Sequence, residues 1–187
     1  MDVRDEDLVA RFLAGESPAF EELVRRHERR VYNIALRMTG RDEDARDAAQ
    51  DAFLTALRKL SSFRGEAAFT TWLHRVTVNA CYDLLRKRGR SPVAELPPDA
   101  GPPAPDPADA AAAGVDVRRA LLTVPEEFRA VLVMHDVQDL PYDQIAEALD
   151  IPIGTVKSRL HRGRVAMARA LGPGEHAAPP GASERQP

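Results

Sequence analysis

The chain has 187 residues, of which 44% are hydrophobic, 5% aromatic and 29% charged, and its formal net charge is -3. This composition is typical of a globular protein with one domain or two small ones. Its single cysteine, Cys81, excludes an intramolecular disulfide and a cysteine cluster for metal binding. Residues 1–17 lack the apolar core of a signal peptide, and no run approaches 18 apolar residues. We therefore expect a cytoplasmic protein that does not insert into a membrane.

The charge is distributed unevenly along the chain. Residues 42–51 are mainly acidic, residues 74–90 are basic, and residues 92–114 contain acids but no basic residue. A nearly neutral average can therefore hide two basic faces for DNA and one acidic face for a protein. Alanine is abundant and no alternating apolar runs stand out, so the sequence predicts an all-α fold.

The first half begins with a short predicted helix over about residues 6–14, followed by a long amphipathic one. Ser17 is the expected N-cap of the long helix, with Pro18 at its first helical position and Gly40 at its end. His27 falls on the apolar stripe of this helix. Such a histidine is more often a hydrogen-bonded core residue than a metal ligand, and we predict that role.

The next predicted helix, over about residues 42–60, packs through alanines and leaves Asp47, Gln50 and Asp51 on another face. Carboxylates four residues apart on a helix repel each other slightly, so the isolated helix gains nothing from this pair. A basic protein partner would explain the acids. Simple solubility is the alternative at this point.

A loop with an aromatic residue then leads into a basic helix. Phe63 and the flexible Gly65 precede a helix over about residues 70–88, whose last turns are rich in arginine and lysine. This arrangement suits single-stranded DNA, because rings stack on bases and cations hold the backbone. Trp72 fits a core position equally well. Cys81 lies in the apolar pattern of this helix and is predicted to be a small core residue.

Residues 92–114 have the composition of a flexible linker, with seven prolines between positions 92 and 107. Extended at about 3.1 Å per residue, they would reach roughly 70 Å, about two turns of B-DNA. The residues from 172 to the end are rich in proline, glycine and alanine, and we expect them to be disordered.

The second half contains a predicted helix-turn-helix over residues 140–171, preceded by two helices at about 115–122 and 126–137. The first helix of the motif ends before Asp150, and the second begins near Thr155. Turns of this kind often carry glycine where this chain has Asp150. Aspartate tolerates the left-handed conformation better than most residues, so the turn is still expected.

The second helix of the motif has two faces. Its apolar side contains Val156, Leu160, Met167 and Leu171, and no acidic residue occurs between positions 151 and 171. A solvated basic face is the usual interpretation of an isolated cationic helix. Here the preceding helix and turn favour insertion into the major groove of DNA.

Two sequence blocks in this order resemble the extracytoplasmic-function group of bacterial sigma factors. They read DAAQDAFLTALRKLSSFRGEAAFTTWLHRVTVNACYDLLRKRGR and VPEEFRAVLVMHDVQDLPYDQIAEALDIPIGTVKSRLHRGR. The resemblance implies a first domain (1–91) that binds core polymerase and recognises and melts the minus-ten element. It implies a flexible linker (92–114), a helix-turn-helix domain (115–171) that reads the minus-thirty-five element, and a disordered tail (172–187).

The resemblance also assigns residues to each surface. Core polymerase binding is expected at Asp47, Gln50, Asp51 and Phe53, and minus-ten recognition at Phe63, Trp72, Arg75 and Asn79. Minus-thirty-five recognition is expected at Lys157, Ser158, His161, Arg162 and Arg164. His161 stands where some members of the family carry an aromatic residue.

The predicted function is promoter recognition and opening without covalent chemistry, with no catalytic residue, metal or cofactor. The implied partners are core RNA polymerase, promoter DNA and an anti-sigma factor. A helix-turn-helix regulator that does not join core polymerase is the main alternative, but it leaves the acidic helix and the Phe63 loop without a role. A protein-binding adaptor would not explain the acid-free second helix of the motif.

Overall fold

The computed structural model describes residues 3–65, 67–89 and 117–171, and these residues form helices without any strand. The helices are α1 (Asp5–Leu13), α2 (Ser17–Thr39), α3 (Asp42–Lys59, followed by a 3-10 turn at Leu60–Ser62), α4 (Phe69–Gly89), α5 (117–123), α6 (Glu126–Leu132, continued by a π-helical turn at Val133–Val137), α7 (Tyr142–Leu149) and α8 (Ile153–Leu171). The predicted all-α fold is confirmed. The predicted linker and tail lie outside the described residues.

Helices α2, α3 and α4 pack against one another to form the first half. The buried side chains of α3 include four alanines, at positions 45, 48, 52 and 56. These small side chains let α2 and α4 approach α3 closely, so the large apolar residues of its neighbours fill the space between the helices. The face of α3 that carries these alanines was predicted to pack, and it is the face that is buried.

The ends of α2 differ in part from the prediction. Ser17 is the first helical residue and not the N-cap, because Glu16 occupies that position and no side chain caps the helix. At the other end, Gly40 has a left-handed φ of 81°, and its N–H donates to the carbonyl of Leu36. A Cβ on Gly40 would lie 2.3 Å from Cδ1 of Leu122, so the glycine also allows α5 to approach.

Helices α7 and α8 form the predicted helix-turn-helix. Asp150 ends α7 with φ 54° and ψ 50°, so the left-handed conformation expected at this position is confirmed. Val156 and Leu160 are buried as predicted, but Leu171 is 47% exposed, and the prediction of an apolar contact there is wrong. The last turn of α8 is exposed and lines an open groove with Ala120 and Thr123 of α5.

Gly163 brings α8 close to α6. A Cβ at this position would lie 2.9 Å from Cδ1 and Cγ of Leu132 and 3.3 Å from the carbonyl oxygen of Phe128. The absent side chain leaves room for the Leu132 side chain and the Phe128 carbonyl of α6 against the backbone of α8. The orientation of α8 is therefore fixed by α6 as well as by the turn.

The second half packs directly on the first. One apolar cluster contains Ile34, Val78 and Cys81 from the first half and Ile145 and Ala148 from the second. The hydroxyl of Thr71 also donates to the side-chain oxygen of Gln144, at 3.2 Å. The sequence did not predict these contacts.

Arg129 of α6 is buried between the halves. Its guanidinium donates to the carbonyl of Met38 in the first half, and to the carbonyls of Leu122 at 2.7 Å and Val124 at 2.9 Å. Burial lowers the pKa of Arg129, although its carbonyl partners satisfy most of its N–H groups. The side chain thus joins α6 to the end of α2.

Among the described residues, no helix is both long enough and apolar enough to cross a membrane.

Candidate nucleic-acid interface

The outer face of α8 presents the residues that the sequence assigned to duplex DNA. Lys157, Ser158, His161 and Arg162 are all exposed. The hydroxyl of Ser158 donates to the carbonyl of Thr155 at 3.0 Å, and its oxygen can still accept a hydrogen bond from a base. The structure therefore places these four side chains on the solvent-facing side of one helix.

Two of these cations lie near aromatic rings. The ammonium of Lys157 is 5.9 Å from the ring centroid of Tyr142, and the guanidinium of Arg162 is 6.0 Å from that of Phe128. Cation–π contacts of this kind orient a side chain without neutralising its charge. Both cations therefore remain available to phosphates or guanine edges.

Arg164, the fifth predicted residue, is held by an acid of the π-helical turn. Its guanidinium donates to Asp136 at 2.6 and 3.2 Å, and this bond is the main reason why the pKa of Asp136 is lowered. His135 lies 2.6 Å from the same carboxylate through Nδ1. Any phosphate that binds Arg164 must compete with Asp136, a partner that the sequence pattern did not reveal.

The outer face of α4 carries the residues predicted to open DNA. Trp72, Arg75 and Asn79 follow at steps of three and four along the helix, and Arg75 and Asn79 are exposed. The ring centroids of Phe63 and Trp72 are 5.5 Å apart, and Phe69 lies within 5.8 Å of both. We call Phe63, Phe69 and Trp72 the aromatic cluster.

The aromatic cluster is partly core and partly surface. Phe69 is buried at 1% exposure, whereas Phe63 and Trp72 are half-buried. Trp72 packs in part against the core of the first half, and its contact with a base stays a prediction.

A polar cleft of about 320 Å³ lies next to Asn79, between α3 and α4. Asp51, Thr55 and Asp83 line it, and Lys59 and Lys87 bring positive charge to its edge. The sequence prediction had not included these lysines. The basic ends of both helices were visible in the sequence, but their convergence required the packing of α3 on α4.

Three of the four residues predicted to bind polymerase lie together. Asp47, Gln50 and Asp51 are exposed and line a groove of about 410 Å³, which Leu54, Leu84 and Lys87 complete. Leu54 is 45% exposed on this acidic face. The groove therefore combines carboxylates and a lysine with exposed apolar surface.

Phe53, the fourth residue, lies elsewhere. Its half-buried ring packs against the core cluster of the first half that contains Leu8 and Val9, and it does not line the groove of Asp47 and Asp51.

Three buried groups have structural roles. Nε2 of His27 lies 2.7 Å from Oδ2 of Asp5, which confirms a hydrogen-bonded core histidine. Cys81 is fully buried, and burial raises the pKa of its thiol to about 12, as expected for a core residue. His74 is 2% exposed, neither ring nitrogen has a hydrogen-bond partner within the described part of the chain, and burial lowers its pKa to about 4. No group of three or more potential metal ligands occurs in the described part of the chain.

Comparison with known families gives two matches along the chain. Sigma-70 region 2 matches residues 23–91, and sigma-70 region 4 matches residues 115–167. The ECF RNA polymerase sigma factor SigM of Mycobacterium tuberculosis is 45% identical over 169 residues, which cover 90% of this chain and 85% of that protein. The ECF RNA polymerase sigma factor SigW of Bacillus subtilis is 30% identical over 171 residues, which cover 84% of this chain and 91% of that protein.

Two solved structures share the fold. CnrH, in complex with the cytosolic domain of CnrY, gives a TM-score of 0.69 at 24% identity and covers 89% of this chain and 96% of its own. The sigma factor RpoE of Bartonella quintana, in complex with the anti-sigma factor NepR, gives a TM-score of 0.64 at 24% identity and covers 81% of this chain and 96% of its own. With the sequence relatives and the two matched regions, these likenesses show that the chain belongs to the extracytoplasmic-function sigma factors of the sigma-70 family.

Proposed function

We propose that this sigma factor binds core polymerase and promoter DNA through surfaces divided between its halves. Residues 1–91 would bind polymerase and open the minus-ten element, and residues 115–171 would read the minus-thirty-five element. Residues 92–114 would link the two, and residues 172–187 would form a tail. The two matched family regions support these boundaries. The acidic groove and the two basic helix faces support the division of roles.

The observation that carries the proposal is that carboxylates cluster in the groove of α3, whereas cations occur on the outer faces of α4 and α8; Asp51 and Lys87 lie at the border between the groove and the cleft beside Asn79. The groove of Asp47, Gln50 and Asp51 offers carboxylates beside exposed Leu54, which suits a basic and partly apolar protein surface. The outer faces of α4 and α8 offer cations with aromatic or short polar side chains, which suit DNA. A regulator that acted without core polymerase would leave the acidic groove unexplained.

At the minus-ten site the aromatic cluster and Asn79 would hold an unstacked base. Flipping a base out of a duplex costs a few kcal/mol, and stacking on an aromatic ring returns about 1 to 3 kcal/mol. Phe63 and Trp72 supply the rings, Arg75 a cation for the backbone and Asn79 a polar contact to the base. No covalent step is involved.

We further propose an anti-sigma factor as a partner and the cytoplasm, with RNA polymerase, as the site of action. The partner is supported by the solved complex of RpoE with NepR, which shares this fold. Sigma factors act with RNA polymerase, and this supports the location.

Transcription in vitro with purified core polymerase tests the function. The full chain should give initiation at specific sites with no other factor added. DNA binding that is unaffected by core polymerase, without specific transcripts, would assign the chain to the ordinary regulators instead.

A further inference from the structure

Arg164 is bonded to Asp136 in the geometry that arginine uses for phosphate. Its Nη2 donates to Oδ1 of Asp136 at 2.6 Å and its Nε donates to Oδ2 at 3.2 Å, so both carboxylate oxygens are engaged. A phosphate group offers a guanidinium the same pair of oxygens. In the free protein, Asp136 therefore occupies the donors with which Arg164 would bind a DNA phosphate.

Arg164 shares a face of α8 with two other residues of the proposed minus-thirty-five surface. It follows His161 by three residues and Lys157 by seven, which are the spacings of one helix face. Among the described residues, neither His161 nor Lys157 has a carboxylate within 4.0 Å. Helix α8 itself contains no acid, so the carboxylate at this face comes from the π-helical turn after α6.

The bond between Arg164 and Asp136 is accessible from solvent. The side chain of Arg164 is 53% exposed and that of Asp136 is 36% exposed, so a phosphate can approach both. An ion pair at such exposure contributes little to stability, because water and salt screen it. Buried Leu160 and the close approach at Gly163 also hold α8 on the rest of the second half. The fold therefore depends little on this bond.

A second contact holds Asp136 beside α8. Nδ1 of His135 lies 2.6 Å from Oδ1 of Asp136, and the ring of His135 stacks on Tyr142 with centroids 5.0 Å apart. The bond from Arg164, together with that from His135, lowers the pKa of Asp136, so its carboxylate is charged at neutral pH. A negative group thus stays near the proposed DNA surface when Arg164 turns towards a phosphate.

We propose that Asp136 competes with DNA phosphates for Arg164 and so lowers the affinity of the second half for every duplex. Phosphate contacts act on all sequences alike, whereas base contacts depend on sequence. Asp136 weakens one contact of the first kind and leaves the base contacts of Arg162 and its neighbours intact. Fewer copies of the chain are then held on DNA by charge alone. The inference rests on the proposed function and adds a residue that limits DNA binding.

The test compares the full-length wild type with Asp136→Asn on two duplexes, one with the minus-thirty-five element and one with that element scrambled. The variant keeps the size of the side chain and removes its charge. At low salt, affinity for both duplexes should rise about two- to fivefold, the range for releasing one exposed ion pair. The slope of log affinity against log salt should steepen by about 0.9, the value of one more phosphate contact. Should this variant not fold, Asp136→Ser removes the same charge and carries the same expectations.

The matched control is Glu127→Gln. Glu127 of α6 lies 2.9 Å from Arg159 of α8, so this substitution removes the same charge and the same kind of ion pair with the same helix. Arg159 is not among the residues proposed to contact DNA, and the salt slope should equal that of the wild type. Asp136→Asn in an Arg164→Gln background should also leave the slope unchanged, because the cation for which Asp136 competes is gone.

Three results would count against these proposals, and they differ from one another. If the ion pair only held α8 on α6, Asp136→Asn would lower the affinity or leave it unchanged, and the inference would be overturned. An equal rise in Glu127→Gln, or an equal change of slope in the Arg164→Gln background, would reduce the effect to net charge and overturn it as well. Failure of the proposed function would instead appear in the wild type, which would bind the intact and the scrambled duplex equally.

Discussion

Arg162 and Arg164 lie two residues apart on the recognition helix and differ in what they contact within the protein. Arg164 is bonded to Asp136, whereas Arg162 lies over the ring of Phe128 and has no carboxylate partner among the described residues. A guanidinium that is already bonded to a carboxylate gains less from DNA, because it must give up or share that partner. Arg162 is therefore the stronger candidate for a base contact.

We expect Arg162→Ala to weaken binding to the minus-thirty-five element by about 1 to 3 kcal/mol, the usual value of a good base contact. A footprinting titration measures the change. Duplexes in which the minus-thirty-five element has been replaced are the control, since the wild type and the Arg162→Ala variant should bind them almost equally. Unchanged affinity for the intact element would refute the assignment.

Arg129 contributes to stability rather than to DNA binding. Replacing it by methionine leaves the carbonyls of Met38, Leu122 and Val124 without their donor, and we expect a loss of about 3 kcal/mol in the free energy of unfolding. Urea denaturation followed by circular dichroism measures it. Arg119→Met, at an exposed position nearby, should change stability by less than about 0.5 kcal/mol. If both substitutions lowered the free energy of unfolding equally, the hydrogen bonds of buried Arg129 would contribute nothing to stability.

His74 should make stability depend on acid. Burial, with smaller contributions from Arg30 and His27, lowers its pKa from 6.5 to about 4. The folded state therefore binds fewer protons than the unfolded state between these values. Above pH 6.5 His74 is neutral in both states and does not lower the free energy of unfolding. As the pH drops from 6.5 towards 4, the free energy of unfolding falls by up to about 3 kcal/mol. Urea denaturation from pH 7 to 4 should show this loss in the wild type and a smaller one in His74→Leu. If the free energy of unfolding fell equally with pH in the wild type and in His74→Leu, this role of His74 would be contradicted.

The residue roles that the sequence predicted correctly depend on local chemistry. Asp150 could be placed in a left-handed turn because its neighbours define the end of one helix and the start of another. The position of His27 on an apolar stripe indicated burial. The ion pair of Arg164 and the inward position of Phe53 could not be predicted, because each depends on a distant segment.

At the scale of elements, α3 separates its buried alanines from its acids, and this separation can be tested. Reversing Asp47 and Asp51 to lysine should strongly lower affinity for core polymerase, because both carboxylates lie in the groove beside Leu54. Co-purification measures the loss. Reversing the exposed Asp7 and Glu28 changes the net charge equally and should leave the yield intact. Wild-type yield from the first variant would contradict the assignment.

Helix periods and breaks were enough to predict nearly all the elements, including the helix-turn-helix. Their ends were less certain, as Ser17 shows. The π-helical turn at Val133–Val137 was not foreseen, because its five residues continue the apolar pattern of α6. That turn places Asp136 within reach of Arg164. Because the sequence did not predict the turn, it did not predict this contact between two helices either.

At the scale of the whole molecule, the shared apolar cluster makes the two halves one unit of stability. The cluster joins Val78 and Cys81 to Ile145 and Ala148, so neither half can unfold without exposing apolar surface of the other. We expect one cooperative transition in urea. The fluorescence of Trp72, the single tryptophan, reports the first half, and circular dichroism reports all helices. The two curves should coincide, and separate midpoints would contradict a common core.

Helix α4 faces two ways. Trp72, Arg75 and Asn79 point outward, whereas Thr71, His74, Val78 and Cys81 are buried on other sides of the same rod. The face proposed to bind the promoter strand and the face that packs on the second half therefore lie on different sides of one helix. If the rod stays still, substitutions on its two flanks should have additive energies. A departure from additivity would show that the two faces of α4 are energetically coupled.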